Sequence, residues 1–127
     1  MKALLPVSLI AALMVAPAFA DCVLPAHDIK MPDGSKATKE EMLATQHAIK
    51  EGNAAVIAYG DCLKAEQDAK IAAGGEQMKE NDRVKINTEY ANRQNAQVEK
   101  LQKLADKFNV ELRAYKAKMA PPGQQPQ

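Results

Sequence analysis

A pair of glycines, Gly74-Gly75, divides the chain into two long stretches with a helical pattern of apolar residues. The residues that recur every seven positions in the first stretch are Met42, Ile49, Val56 and Leu63. The residues spaced alternately by three and four in the second are Val84, Asn87, Ala91, Gln94, Val98, Leu101, Ala105, Phe108, Leu112, Tyr115 and Met119. This spacing is typical of helices that pack along one face, and the glycines permit the backbone angles that reverse a chain.

We therefore predict an all-α fold, a coiled-coil-like helical hairpin of two long antiparallel helices at about residues 38–72 and 76–119. Thr38 and Glu41 have the spacing of a capping box, which would start the first helix. Pro121-Pro122 would stop the second helix. Residues 21–37 are predicted to form an extended arm with a turn at Pro32-Asp33-Gly34. Residues 120–127 are predicted to be a disordered tail.

A fold about this hinge predicts which residues of the two helices meet. Leu63 would lie near Val84 and Val56 near Ala91. At the far end, Met42 would meet the segment 105–108. A lone hairpin buries little apolar surface and is marginally stable, so we also expect self-association into a weak dimer.

Residues 1–20 have the features of a secretory signal peptide. Lys2 supplies a positive start, residues 3–16 are mostly apolar, and Ala18-Phe19-Ala20 is a small-x-small cleavage signal. The predicted cleavage lies between Ala20 and Asp21, and the predicted location is periplasmic or secreted. No later stretch is apolar enough to span a membrane, so we expect no integral membrane segment after cleavage.

The chain has 2 cysteines, Cys22 and Cys62. An oxidising compartment favours their pairing, and the arm is long enough to run back along the first helix, so we predict a disulfide. Lipidation of Cys22 is the alternative, which would anchor the protein in the envelope. Asp21 directly before the cysteine disfavours that alternative, because the processing needs small residues there.

Loss of Lys2 with the signal peptide would leave 16 basic and 16 acidic residues, a net charge of zero. This balance argues against nucleic acid as a partner. The residues after the signal peptide contain one serine, Ser35, and no recognisable catalytic set. We therefore predict no enzyme activity, no cofactor and no metal site. The alternative is a small-ligand or metal-binding protein that uses His27, Asp28 and His47.

The second helix is longer than the first, so its last apolar residues would project beyond the hairpin. We predict a partner-binding patch from Leu112, Tyr115 and Met119 with their basic neighbours Arg113 and Lys116. Either the arm covers these apolar residues, or they form a contact surface. The leading functional interpretation is a non-catalytic periplasmic interaction or structural module that acts through its helix faces.

One further set of residues extends along most of the chain, namely Pro32-Asp33-Gly34, Thr38, Glu41-Met42, Gln46, Tyr59, Cys62-Leu63, Phe108-Asn109, Arg113 and Lys116. Through these residues the chain resembles a family of small exported Gram-negative helical-hairpin proteins of unknown function. The resemblance covers about residues 22–118, and the chain departs from the family at Met31. The resemblance implies export, paired cysteines and the hairpin, and it implies no catalytic residues.

Overall fold

The computed structural model describes residues 21–124, so the predicted signal peptide and the last three residues of the tail lie outside it. Two long helices, α1 (Lys39–Gly74) and α2 (Glu80–Met119), pack against each other and are joined by a short 3-10 turn, Gly75–Gln77. No strand is assigned within the described range. The all-α hairpin predicted from the sequence is confirmed.

The start of α1 has the predicted capping box. The Glu41 N–H donates to the Thr38 hydroxyl oxygen at 3.2 Å, and the Thr38 N–H donates to the Glu41 carboxylate at 2.8 Å. Two of the backbone donors at this helix end are thereby paired reciprocally. Glu40 and Glu41 also place negative charge at the positive end of the helix dipole.

The turn between the helices is longer than predicted, so α2 begins at Glu80 and not near residue 76. Gly75 has a φ of 58°, which ends α1. The 3-10 turn and the extended residues Met78 and Lys79 then carry the chain across to α2. Five residues, 75–79, therefore lie between the two helices.

The later turn shifts the pairing of the helices near the hinge. Leu63 shares a cluster with Tyr90, six residues beyond the predicted Val84, and Ile86 packs against that cluster. The predicted pairing of Val56 with Ala91 is wrong, because Val56 lies with Val98 and Leu101 and Ala91 is exposed. Further from the turn, a Cβ atom on Gly52 would lie 3.1 Å from the Leu101 side chain. The predicted contact between Met42 and the segment 105–108 is confirmed, because Met42 and Phe108 share a buried cluster.

The buried face of α2 also differs from the predicted seam in its first half. Tyr90 and Gln97 are buried, whereas the predicted Val84 and Val98 are about half exposed. Many of the half-buried and buried positions of α2 follow the 3.6-residue spacing of a straight helix, namely 86, 90, 93, 97, 101, 104, 108, 112 and 115. A strict seven-residue repeat drifts away from that spacing.

The core contains two small clusters and, outside both of them, the buried side chains of Val56 and Leu101. The disulfide cluster contains Cys22, Tyr59, Leu63 and Tyr90, with Cys62 and Ile86 packed against it. The turn cluster contains Ala37, Met42 and Phe108, with Met31, Ile49, Leu112 and Tyr115 packed against it. Each cluster takes residues from the arm and from both helices, so the arm completes the core.

Candidate functional site

The arm lies along the hairpin as an extended segment whose exposure alternates from residue to residue. Pro25, His27, Ile29 and Met31 are half-buried, whereas the residues between them are exposed. This period of two is the geometry of a β-strand, in which successive side chains point to opposite sides. The arm therefore has one face on the hairpin and one face toward solvent.

A disulfide fixes the beginning of the arm to α1. Cys22 and Cys62 are bonded, with their Cα atoms 5.8 Å apart. The predicted pairing is confirmed. Because the bond uses the Cys22 sulfur, that sulfur cannot also carry a lipid in this form of the protein.

Hydrogen bonds hold the middle of the arm. The Nε2 of His27 lies 2.9 Å from the Oε1 of Gln97, a side chain of α2 that is only 5% exposed. The Nδ1 of His27 is buried and has no hydrogen-bond partner. The Thr45 hydroxyl donates to the Glu41 carbonyl oxygen at 3.0 Å, and the Lys30 carbonyl oxygen of the arm lies 3.4 Å from the same hydroxyl.

The Pro32-Asp33-Gly34 turn fixes the end of the arm to α2. The Gly34 N–H donates to the Glu111 carboxylate at 2.8 Å, and the Lys118 ammonium donates to the Ala37 carbonyl oxygen at 2.6 Å. Within the turn, Asp33 accepts hydrogen bonds from the Ser35 hydroxyl at 2.6 Å and from the Ser35 N–H at 3.0 Å. The hydrogen bonds from Ser35 lower the pKa of Asp33.

A polar network connects α1 and α2 beside the disulfide. The Tyr90 hydroxyl donates to Glu66 Oε1 at 2.6 Å, and Arg93 Nη1 lies 3.4 Å from the same oxygen. The Arg93 guanidinium lies 5.1 Å from the centre of the Tyr90 ring. The other Glu66 oxygen lies 3.3 Å from the Cys22 sulfur. One carboxylate thus contacts the arm and α2 together.

The network moves the pKa values of its two central groups apart. The hydrogen bond from Tyr90, with help from Arg93, lowers the pKa of Glu66. Burial and the neighbouring Glu66 carboxylate raise the pKa of Tyr90 to about 12. Both values move away from neutral pH, where a general acid or base exchanges protons. The Tyr90–Glu66 pair is therefore better suited to a structural, charge-assisted hydrogen bond between the helices than to proton transfer.

Sequence reasoning did not identify this network. Two signals point to it in retrospect. Tyr59, Leu63 and Glu66 follow the three-and-four spacing of one helix face. The same spacing on α2 relates Ile86, Tyr90 and Arg93, as expected for one face of a straight helix. The seven-residue pattern used for the prediction did not include these three residues.

The predicted partner patch is divided by the arm. Leu112 and Tyr115 are half-buried against the turn cluster, and the Lys118 ammonium lies 4.9 Å above the Tyr115 ring. Arg113 and Lys116 are exposed, and Met119 is 65% exposed. The apolar part that remains accessible at this end of α2 is therefore centred on Met119.

A second apolar surface, which we term the open face, lies between the helices where no arm residue contributes. Its groove has a volume of about 340 Å³. The residues that line it are Ile49, Lys50, Asn53, Val56, Val98, Leu101, Gln102 and Ala105. Ile57, one turn after Asn53, is 55% exposed, and Val98 is 47% exposed. Of the lining residues only Lys50 is charged.

The two histidines have separate environments. His27 contacts Gln97 of α2, whereas His47 lies 3.5 Å from Glu51 on the exposed surface of α1. Within residues 21–124, no group of three or more His, Cys, Asp or Glu side chains is placed to hold a metal ion. Helices in the same range include none with the length and apolar character needed to cross a membrane.

Known proteins provide no relative for comparison: no family model, curated protein or solved structure matches this chain. The resemblance to small exported hairpin proteins therefore stays a prediction from the sequence.

Proposed function

We propose that this chain is an exported, non-catalytic protein that acts by association through its open face. The observation that carries the proposal is the groove beside Ile49 and Val98, which no arm residue lines and whose other lining residues include the buried Val56 and Leu101. The centres of protein interfaces are typically apolar and poor in charge. Five of the eight lining residues of the open face are apolar, Asn53 and Gln102 are polar, and only Lys50 is charged.

A second copy of the chain is the partner that we propose for this face. The hairpin has two small clusters and no large side chain that is completely buried. Packing of two hairpins in a four-helix bundle would cover the groove and enlarge the core. Exposed Met119, the accessible remainder of the predicted patch, would extend the same association at the end of α2.

The test compares two valines of α2 that differ in position and little in exposure. Val98 lines the groove, whereas Val110 is 53% exposed and does not line it. We expect sedimentation analysis at high micromolar concentration to show a dimer for the wild type and for Val110→Glu. We expect Val98→Glu to be monomeric, because it places a charge in the apolar centre.

A wild type that stays monomeric would contradict self-association. The same two variants then test the open face against other proteins, by affinity capture in an exporting host. Equal capture by Val98→Glu and Val110→Glu would remove the open face from the proposal altogether.

Export is supported by the disulfide, since disulfides persist in oxidising compartments. Intact mass of protein exported by a Gram-negative host tests this part independently. We expect the mass of residues 21–127 less two hydrogens, with two alkyl groups added after reduction and alkylation. A mass that begins at Cys22 and includes acyl chains would replace this reading with a lipid-anchored protein.

A further inference from the structure

We propose that the backbone edge of the arm along α1 binds an extended peptide as an added β-strand. The site is separate from the open face, and its occupant is a short peptide segment and not a second hairpin. The proposal rests on three observations, namely the unpaired backbone of the arm, the trough beside it and the charge at the two ends of that trough.

The backbone of the arm is extended and unpaired. Among residues 21–124, no backbone-to-backbone hydrogen bond involves residues 23–31. The side-chain contact from Thr45 reaches only the Lys30 carbonyl. An unpaired extended edge is a template for another strand, and several peptide-binding domains recognise their ligands in this way.

The disulfide and the Gly34 turn hold this edge in place at both ends. An extended segment that is already ordered loses little further entropy when it pairs with a ligand. The edge from Leu24 to Lys30 is about 20 Å long at the rise of a β-strand. It is therefore long enough for about seven residues of a ligand.

Two separate cavities lie one after the other beside the arm on the α1 side, and we term them together the trough. The first has a volume of about 500 Å³ and lies between Val23–Ala26 of the arm and Ala55, Ala58, Tyr59 and Cys62 of α1. The second has a volume of about 380 Å³ and lies between residues 28–32 of the arm and Glu41, Ala44, Thr45 and Ala48. The alanines of α1 that line the trough have short side chains, which leave space for a ligand beside the edge of the arm.

The two ends of the trough differ in charge, which indicates the composition of the ligand. No charged residue lines the part at Val23. The part at Lys30 is lined by the carboxylates of Asp28 and Glu41 and by the single cation of Lys30. A complementary peptide is apolar over the first part and carries a basic side chain over the second.

A second copy does not fit this site. The arm of a second copy would be attached to its own helices along its whole length, as it is here through Cys22, His27 and Gly34. Strands pair at about 4.8 Å, whereas packed helices need 8–10 Å between their axes. The neighbouring helices would collide before the two arms could pair, so a free peptide strand is the occupant that fits.

The probes are two seven-residue peptides of alternating Thr and Val. One peptide carries a single Lys at its first residue, and the other carries a single Lys at its last residue. These two peptides test antiparallel and parallel pairing, because the acidic part of the trough lies at the C-terminal end of the arm. Binding to the purified, disulfide-bonded protein is measured by NMR titration. We expect one peptide to bind with a Kd below about 1 mM, and replacement of its Lys by Glu to weaken binding.

Two controls separate strand pairing from other contacts. Two N-methylated versions of the peptide are made, one methylated at the odd-numbered residues and one at the even-numbered residues. We expect only one of these two registers to lose binding, because a strand pairs with its neighbour through one edge. Ala55→Gln fills the trough and should weaken binding at least about tenfold. Ala54→Gln, its exposed neighbour outside the trough, should not, and the two variants have equal helix propensity.

Absence of binding by both peptides up to about 1 mM overturns the proposal. Binding that survives N-methylation in both registers also overturns it, because side-chain contacts alone would then account for the affinity. Equal loss in Ala54→Gln and Ala55→Gln would show that the trough is not the site. None of these outcomes depends on the open face, so this inference and the proposed dimer fail or stand separately.

Discussion

The backbone of Gly34 lies directly against the backbone of Glu111, 77 residues further along the chain. A Cβ atom at residue 34 would overlap with the carbonyl group of Glu111. The Gly34 N–H donates to the carboxylate of the same glutamate. Glycine is required here by the close approach of two backbones, and this contact attaches the arm to α2.

We expect Gly34→Ala to destabilise the protein by about 1–3 kcal/mol, the usual cost of overpacking. Urea unfolding measures the change. Gly52→Ala is the control, because its Cβ would meet only the ends of two flexible side chains, Leu101 at 3.1 Å and Ile29 at 3.6 Å. It also removes a glycine from a helix interior, so its effect should be clearly smaller. Equal effects of the two variants would argue against the Gly34–Glu111 contact.

Removal of the disulfide in the Cys22→Ser, Cys62→Ser double variant should lower the free energy of unfolding by about 4 kcal/mol in the chain-entropy model. The sequence separation of 40 residues sets this value. We expect proteolysis to occur first in residues 23–31, because that segment has no backbone hydrogen bonds of its own. First cleavage within α1 or α2 would contradict this order.

Tyr90→Phe should cost about 1–2 kcal/mol at neutral pH, because the Glu66 carboxylate loses its donor. The difference from the wild type should narrow as the pH rises from 10 toward 12. In that range the unfolded tyrosine ionises while the folded one, with a pKa of about 12, stays protonated. Wild-type stability thus falls relative to the variant, by at most about 1.4 kcal/mol per pH unit. A constant difference between pH 9 and pH 12 would contradict the role of Tyr90.

Glu66→Gln should destabilise the protein at neutral pH and have less effect in acid. The folded pKa of Glu66 lies below its ordinary value of 4.5. Its charge therefore contributes stability above pH 4.5, and the contribution is lost as the pH falls through the folded pKa. Glu99→Gln is the control. The hydrogen bond from Lys103 also lowers the pKa of Glu99, but this ion pair is exposed. We therefore expect Glu99→Gln to change the stability only slightly, and salt to reduce that change.

Much of the fold could be predicted from local signals. The capping box at Thr38, the glycines at the turn and the prolines after Met119 each act within a few residues. The disulfide could be predicted because only two cysteines are present. Each of these inferences needs a single element or a single pair, and no knowledge of how the helices are rotated.

The register of the hairpin and the polar network could not be predicted in the same way. Both depend on where the turn ends, and α2 begins at Glu80 after a 3-10 turn that the composition of the hinge does not specify. Because α2 begins a few residues later than predicted, Tyr90 and not Val84 lies beside Leu63. The buried position of Leu112 and Tyr115 depends in turn on the path of the arm.

The two attachments of the arm differ in how much of the chain must exist before they form. The disulfide joins residues 22 and 62, which both precede the turn at Gly75. The Gly34–Glu111 contact needs nearly all of α2. In a chain that enters an oxidising compartment N-terminus first, Cys22 and Cys62 can therefore pair before α2 has arrived. The contact of the Gly34 turn with Glu111 can form only when nearly all of the chain is there.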